Sequence, residues 1–91
     1  MAIKVRIPTP MRSFTSGAAE VHIEAGTIRE LIDKLEGEYP GMKERICDSD
    51  GSLRLYVNIY LNDEDIRSMG DIDTPVKDGD SMHIIPAIAG G

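Results

Sequence analysis

The sequence predicts an α+β domain, a mixed sheet of four to five strands with one main helix packed on one face. Three observations carry that expectation. Near the start, Ile3, Val5 and Ile7 alternate with Lys4 and Arg6. Near the end, Met82 and Ile84 alternate with His83 and Ile85. This is the period of two that a half-buried strand requires. Between them one stretch, Ile28, Leu31, Ile32 and Leu35, repeats at helical spacing.

The first strand ends at Pro8-Thr9-Pro10, because proline has no N–H for a ladder. Residues 11–17 read as a loop. A second strand is expected over 20–24, with Val21 and Ile23 on one face and His22 on the other. A hairpin is the shortest way to join the two. Thr27-Ile28-Arg29-Glu30 has the form of a capping box, a hydroxyl for one free helix N–H and a carboxylate three residues on for another. The helix is therefore placed over 28–38, ended by Gly37 or by Tyr39-Pro40-Gly41.

Residues 42–47 are expected to make one further turn, with Met42 and Ile46 inward. Asp48-Ser49-Asp50-Gly51 reads as a turn, since its glycine follows Asp50 too closely for a calcium loop. Leu53, Leu55, Val57, Ile59 and Leu61 give the longest alternation in the chain and predict one strand with all five inward. Asn62-Asp63 turns the chain, a short strand is expected at 65–67, and 69–76 is irregular. Asp78-Gly79 is another turn. The last strand spans 81–87, closed by Pro86. In the order β-β-α-β-(β)-β the first and last strands are expected side by side, parallel and central.

Size and charge limit the functions available. Ninety-one residues make one domain. Folding a chain of this mass removes roughly 9,000 Å² from water. That supports one thin core and a stability of about 5–15 kcal/mol, with little room for a large substrate pocket. The net charge of −6 disfavours nucleic acid and anionic membranes alike. It favours a basic protein partner. No apolar run approaches the ~20 residues of a membrane span, and the first residues lack the apolar core of a signal peptide. A cytoplasmic location is expected. Cys47 is the only cysteine, which excludes an internal disulfide, and nothing beside it suggests a nucleophile. His22 and His83 lack ligand spacing, so neither a metal site nor a bound cofactor is expected. No residue is assigned a catalytic role.

The sequence finishes with Gly90-Gly91. At a glycine frequency of about 7%, chance alone gives such an ending in roughly one chain in two hundred. Glycine at a free end packs against nothing. It does let a backbone pass close to a catalytic wall and adopt dihedrals closed to other residues. The organisation expected is a domain over 1–86 and a tail over 87–91.

Several segments resemble the ubiquitin-like β-grasp proteins, and among them the prokaryotic sulfur carriers, the molybdopterin synthase small subunit and the thiamine sulfur carrier. They are Ile7-Pro8-Thr9-Pro10-Met11-Arg12, Leu35-Glu36 to Tyr39-Pro40-Gly41, and Val57-Asn58-Ile59-Tyr60-Leu61-Asn62-Asp63-Glu64-Asp65-Ile66-Arg67. Asp78-Gly79-Asp80 and Ile85-Pro86-Ala87-Ile88-Ala89-Gly90-Gly91 complete the set. The resemblance spans almost the whole chain and is nearest to the branch serving cysteine biosynthesis. Molybdopterin synthase small subunits favour an aromatic-rich first strand followed by Leu-Arg-Glu. Here the segment reads Ile7-Pro8-Thr9-Pro10-Met11-Arg12-Ser13.

The resemblance implies a non-catalytic carrier. A partner adenylyltransferase of the ubiquitin-activating type uses ATP to turn the Gly91 carboxylate into an acyl-adenylate. Sulfur from a persulfide or sulfide then replaces AMP and leaves a nucleophilic thiocarboxylate. Gly90, Ala89, Ile88, Ala87 and Pro86 would be the tail read by partners. Those partners include a cysteine synthase-like acceptor and a zinc protease that trims the adduct. Two rival fates are a subunit completing a molybdopterin synthase large subunit, and a modifier joined through Gly91 to lysines of other proteins. Tyr56, Tyr60, His83 and Ile85 should share the sheet face away from the helix, either as solvated surface or as a docking patch. The acidic residues from Asp63 to Asp80 are expected mainly as solvated loop surface.

Overall fold

The computed structural model describes residues 2–86. Strands β1 (Ala2–Arg6) and β2 (Glu20–Glu24) form an antiparallel hairpin. Helices α1 (Ile28–Glu38) and α2 (Met42–Ile46) follow, then β3 (Val57–Leu61), β4 (Glu64–Asp65) and β5 (Ser81–Pro86). The sheet order is β2-β1-β5-β3-β4. Strand β5 is central, parallel to β1 and antiparallel to β3. This is the mixed-sheet β-grasp arrangement that the chain's patterning and resemblance predict.

Side chains of period two put Ile3, Val5, Val21, Ile23, Val57, Ile59, Leu61, Met82 and Ile84 on one face, all buried. Ile28, Leu31, Ile32 and Leu35 of α1 cover that face, joined by Met42 and Ile46 of α2. Helix α1 begins where expected. The Glu30 N–H donates to Thr27 Oγ1 at 3.1 Å. The return bond goes one residue earlier than in the usual capping box, from the Gly26 N–H to Glu30 Oε1 at 2.5 Å.

Helix α2 is too short to hold itself, and Glu36 of α1 closes its start. The Glu36 carboxylate accepts the N–H groups of Lys43 at 2.8 Å and Gly41 at 3.1 Å. These bonds hold its pKa below the ordinary value. Gly41 is needed there twice over. Its φ is +103°, and a Cβ would sit 2.6 Å from the Phe14 ring.

Four expectations need correction. The segment expected as loop over 11–17 lies largely in a 3-10 helix, Thr9–Thr15. Prolines at its start preset φ, and the Met11 N–H reaches the Pro8 carbonyl at 2.9 Å. The strand expected near 65–67 comes earlier, at Glu64–Asp65. There Asn62 and Asp63 take positive φ and close a tight hairpin, and Ile66–Ser68 is a 3-10 turn. A further 3-10 turn, Asp71–Asp73, interrupts the irregular 69–76 segment.

The largest correction concerns 53–61. Only Val57–Leu61 is strand. Leu53 is buried and pairs with Cys47 in a separate bridge, and Leu55 is 91% exposed. Strand β5 has six residues, and Pro86 already pairs with Val57. Among the described residues β5 offers no partner to β3 before Val57.

Candidate functional site

Everything that could present the tail converges at one end of the central strand. β1 and β5 run parallel, so both finish at this rim. Pro86, the last described residue, pairs with Val57 at the first position of β3. Ala87, Ile88, Ala89, Gly90 and Gly91 lie outside the described residues.

Around Pro86 the chain builds a cleft of about 350 Å³, lined by Pro10, Phe14, Arg45, Arg54 and Tyr56 among others. It combines apolar rings with two guanidinium groups in a chain of net charge −6. Arg45 lies over the Phe14 ring, 5.5 Å from its centre, within cation–π range.

The outer wall of the cleft is the turn at 54–57. The Val57 N–H donates to the Arg54 carbonyl at 3.1 Å. The same carbonyl accepts Arg67 Nη2 at 2.6 Å, while Arg67 Nη1 donates to Asn58 Oδ1 at 2.6 Å. Arg54 binds back toward α2. Its N–H donates to the Ile46 carbonyl at 3.0 Å, its Nε to the Glu44 carbonyl at 2.9 Å and its Nη1 to Asp48 Oδ1 at 3.0 Å. Patterning did not single out Arg54, Arg67 or the exposure of Leu55. No signal in the sequence marked that exposure, since alternation records side-chain type and not the length of the neighbouring strand.

The four residues expected on the open face are placed unequally. Tyr60 pairs directly with His83, and Asn58 with Ile85. Tyr60, His83 and Ile85 therefore form one surface on the face away from the helices, with Ile85 45% exposed. Tyr56 stands apart from them in the turn and lines the cleft. Arg6 lies beside His83 on the same face, through the β1–β5 register.

Cys47 is buried, and burial raises its thiol pKa. That keeps the sulfur protonated and poorly nucleophilic. Among the described residues no three His, Cys, Asp or Glu side chains converge as metal ligands. No helix among them is long and apolar enough to cross a membrane. What the site offers chemically is recognition: a strand end and a cleft of apolar rings, two guanidinium groups and the Glu44 carboxylate.

This geometry has close counterparts. The sulfur carrier protein CysO of Mycobacterium tuberculosis is 45% identical over 93 aligned positions, covering 100% of both chains. The crystal structure of M. tuberculosis CysO superposes with a TM-score of 0.90 at 43% identity, over 94% of this chain and 99% of that one. A chain in the crystal structure of the Amycolatopsis orientalis BexX/CysO complex superposes with a TM-score of 0.92 at 41% identity, over 99% of this chain and 100% of that one. The model of the ThiS family matches residues 5–91. Matched by that model from residue 5 to residue 91, the chain belongs to the ThiS family.

Proposed function

We propose that this protein is a sulfur carrier for the biosynthesis of cysteine or a related sulfur metabolite, with the Gly91 carboxylate as its reacting group. The observation that carries the reading is full-length likeness to CysO together with a family match that runs through residue 91. A carboxylate is a poor electrophile. A separate adenylyltransferase joins it to AMP from ATP, releasing pyrophosphate. Sulfide then attacks the acyl carbon, AMP leaves with its bonding electron pair, and a thiocarboxylate remains. Its sulfur is ionised at neutral pH and nucleophilic, by the logic that makes thiolate the reactive form of cysteine.

The carrier itself contributes a tether and an address. A central last strand gives the tail a fixed origin, and Gly90 and Gly91 give it the narrow profile that a partner's channel needs. ATP is used by the partner, and the carrier holds no cofactor of its own. The acceptor would be a synthase of the cysteine synthase type, with a zinc protease releasing the product from the adduct, all in the cytoplasm. The A. orientalis relative was crystallised as a BexX/CysO complex, which supports a carrier that works by docking. Tyr60, His83 and Ile85, with Tyr56 at the cleft, are the surface proposed for that docking.

Intact-mass measurement tests the reading. After incubation with the cognate adenylyltransferase, ATP and sulfide, one oxygen should be replaced by sulfur. Removal of Gly91 should abolish the change. An unchanged mass, under conditions that thiolate a control carrier, would overturn the proposal.

A further inference from the structure

Leu55 has the sequence position of a core residue and the exposure of a surface one. It is 91% exposed at the tip of the 54–57 turn, with Tyr56 beside it 55% exposed. The turn is not loosely held. Its first carbonyl accepts both the Val57 N–H and Arg67 Nη2, and Arg54 is tied to Ile46, Glu44 and Asp48. An apolar side chain fixed in water on a braced turn is a preorganised contact, because a partner that covers it need not order it first.

We infer that Leu55 is an apolar anchor for the adenylyltransferase and that Arg67 is the positioning residue that holds it out. The inference rests on the proposed function. The length of the tail limits where an enzyme that activates the Gly91 carboxyl must sit. Five residues separate Pro86 from the Gly91 carboxyl, a reach of about 17 Å when extended. An enzyme that closes on that carboxyl must come within the same distance of Pro86. Leu55 lies two residues before Val57, the partner of Pro86 in the sheet. An enzyme engaging the tail is thereby brought up to the turn. The socket it presents to Leu55 is apolar, and its rim meets Arg45 and Glu44 of the cleft. Among the described residues Arg45 has no ion-pair partner and lies over Phe14.

Steady-state adenylation by the cognate adenylyltransferase, followed by pyrophosphate release, separates the possibilities. Leu55→Ala leaves the fold untouched and should raise KM for the carrier about ten-fold or more, as expected for losing most of a buried leucine contact, with kcat unchanged. Arg67→Gln should raise KM several-fold, also without change in kcat. The Leu55→Ala/Arg67→Gln double variant should be no worse than Leu55→Ala, because a positioning residue has nothing left to position. Asn58→Ala, which removes one of the two Arg67 acceptors, covers the case in which Arg67→Gln does not fold. It should give a smaller rise that again vanishes in the Leu55→Ala background. A parent chain that is activated while Leu55→Ala matches it overturns the anchor and leaves the carrier reading standing. Additive effects of Arg67 or Asn58 on top of Leu55→Ala overturn the positioning role. A parent chain that is not activated at all overturns both readings together.

Discussion

Helix α1 is closed at its first turn by Thr27 and Glu30, three positions apart, whereas the 54–57 turn is closed by a guanidinium that arrives from Arg67 on a 3-10 turn beyond β4. The helix buries its apolar stripe and leaves its polar side in water. The turn does the reverse with its leucine. Patterning and geometry agree in the helix because the Thr27 and Glu30 bonds at its start join near neighbours, although the Ile28 N–H donates to the distant Thr74 carbonyl at 3.0 Å. They disagree in the turn because its conformation depends on groups brought near only by folding. The two regions also differ in use. The helix covers the core, while the turn stands at the rim where the last strand ends.

The comparison can be broken first at the core that both regions share. Leu31→Ala on α1 or Ile59→Ala on β3, both fully buried, should each cost about 2–5 kcal/mol in chemical denaturation. A neutral result at Ile59 would mean that the register of β3 differs from the one described. A smaller effect separates the regions. Arg67→Gln removes charge-assisted bonds to Asn58 and the Arg54 carbonyl and should cost about 1–3 kcal/mol. Amide exchange should speed up at 54–58 and stay slow in α1. Uniform loss of protection would show that the turn is part of the global fold and not a separately braced element.

Thr27→Ala tests the other side. Loss of the hydroxyl that accepts the Glu30 N–H should cost about 1 kcal/mol, with exchange accelerated in the first turn of α1 and unchanged at 54–58. The smallest effect is a pH dependence. Glu36 has its pKa lowered by the Lys43 and Gly41 N–H groups it accepts, chiefly Lys43. A depressed carboxylate stabilises the fold above its unfolded pKa, and that contribution disappears as pH falls through the folded value. The stability difference between the parent and Glu36→Gln should therefore be full at neutral pH. It should shrink below about the ordinary value of 4.5. A difference that persists undiminished into strong acid would assign the effect to packing.

Much of the architecture is legible in the sequence alone. The hairpin, the span of α1, the parallel pairing of the first and last strands and the inward set from Ile3 to Ile84 follow from alternation, helical spacing and capping chemistry. Tyr60, His83 and Ile85 share an outward face for the same reason, since a strand's odd and even positions cannot exchange faces. Leu55 could not be placed this way. Alternation records which residues suit a sheet, not whether a neighbouring strand is long enough to pair them. The 3-10 helix at Thr9–Thr15 was hidden likewise, because prolines that end a strand also start a turn.

By itself the sequence determined the core, the order of elements and the Gly90-Gly91 ending, since these depend on side-chain type and on bonds between near neighbours. Only the tertiary structure decided where the rim lies and what stands on it. The cleft joins Pro10 to Pro86, the Arg67 brace joins the β4 region to the start of β3, and the Glu36 cap joins two helices. The cleft joins groups far apart in the chain, while the brace and the cap each reach across a turn that strand or helix periodicity does not describe. Such a contact forms only after the intervening residues have lost their freedom, so no local pattern announces it.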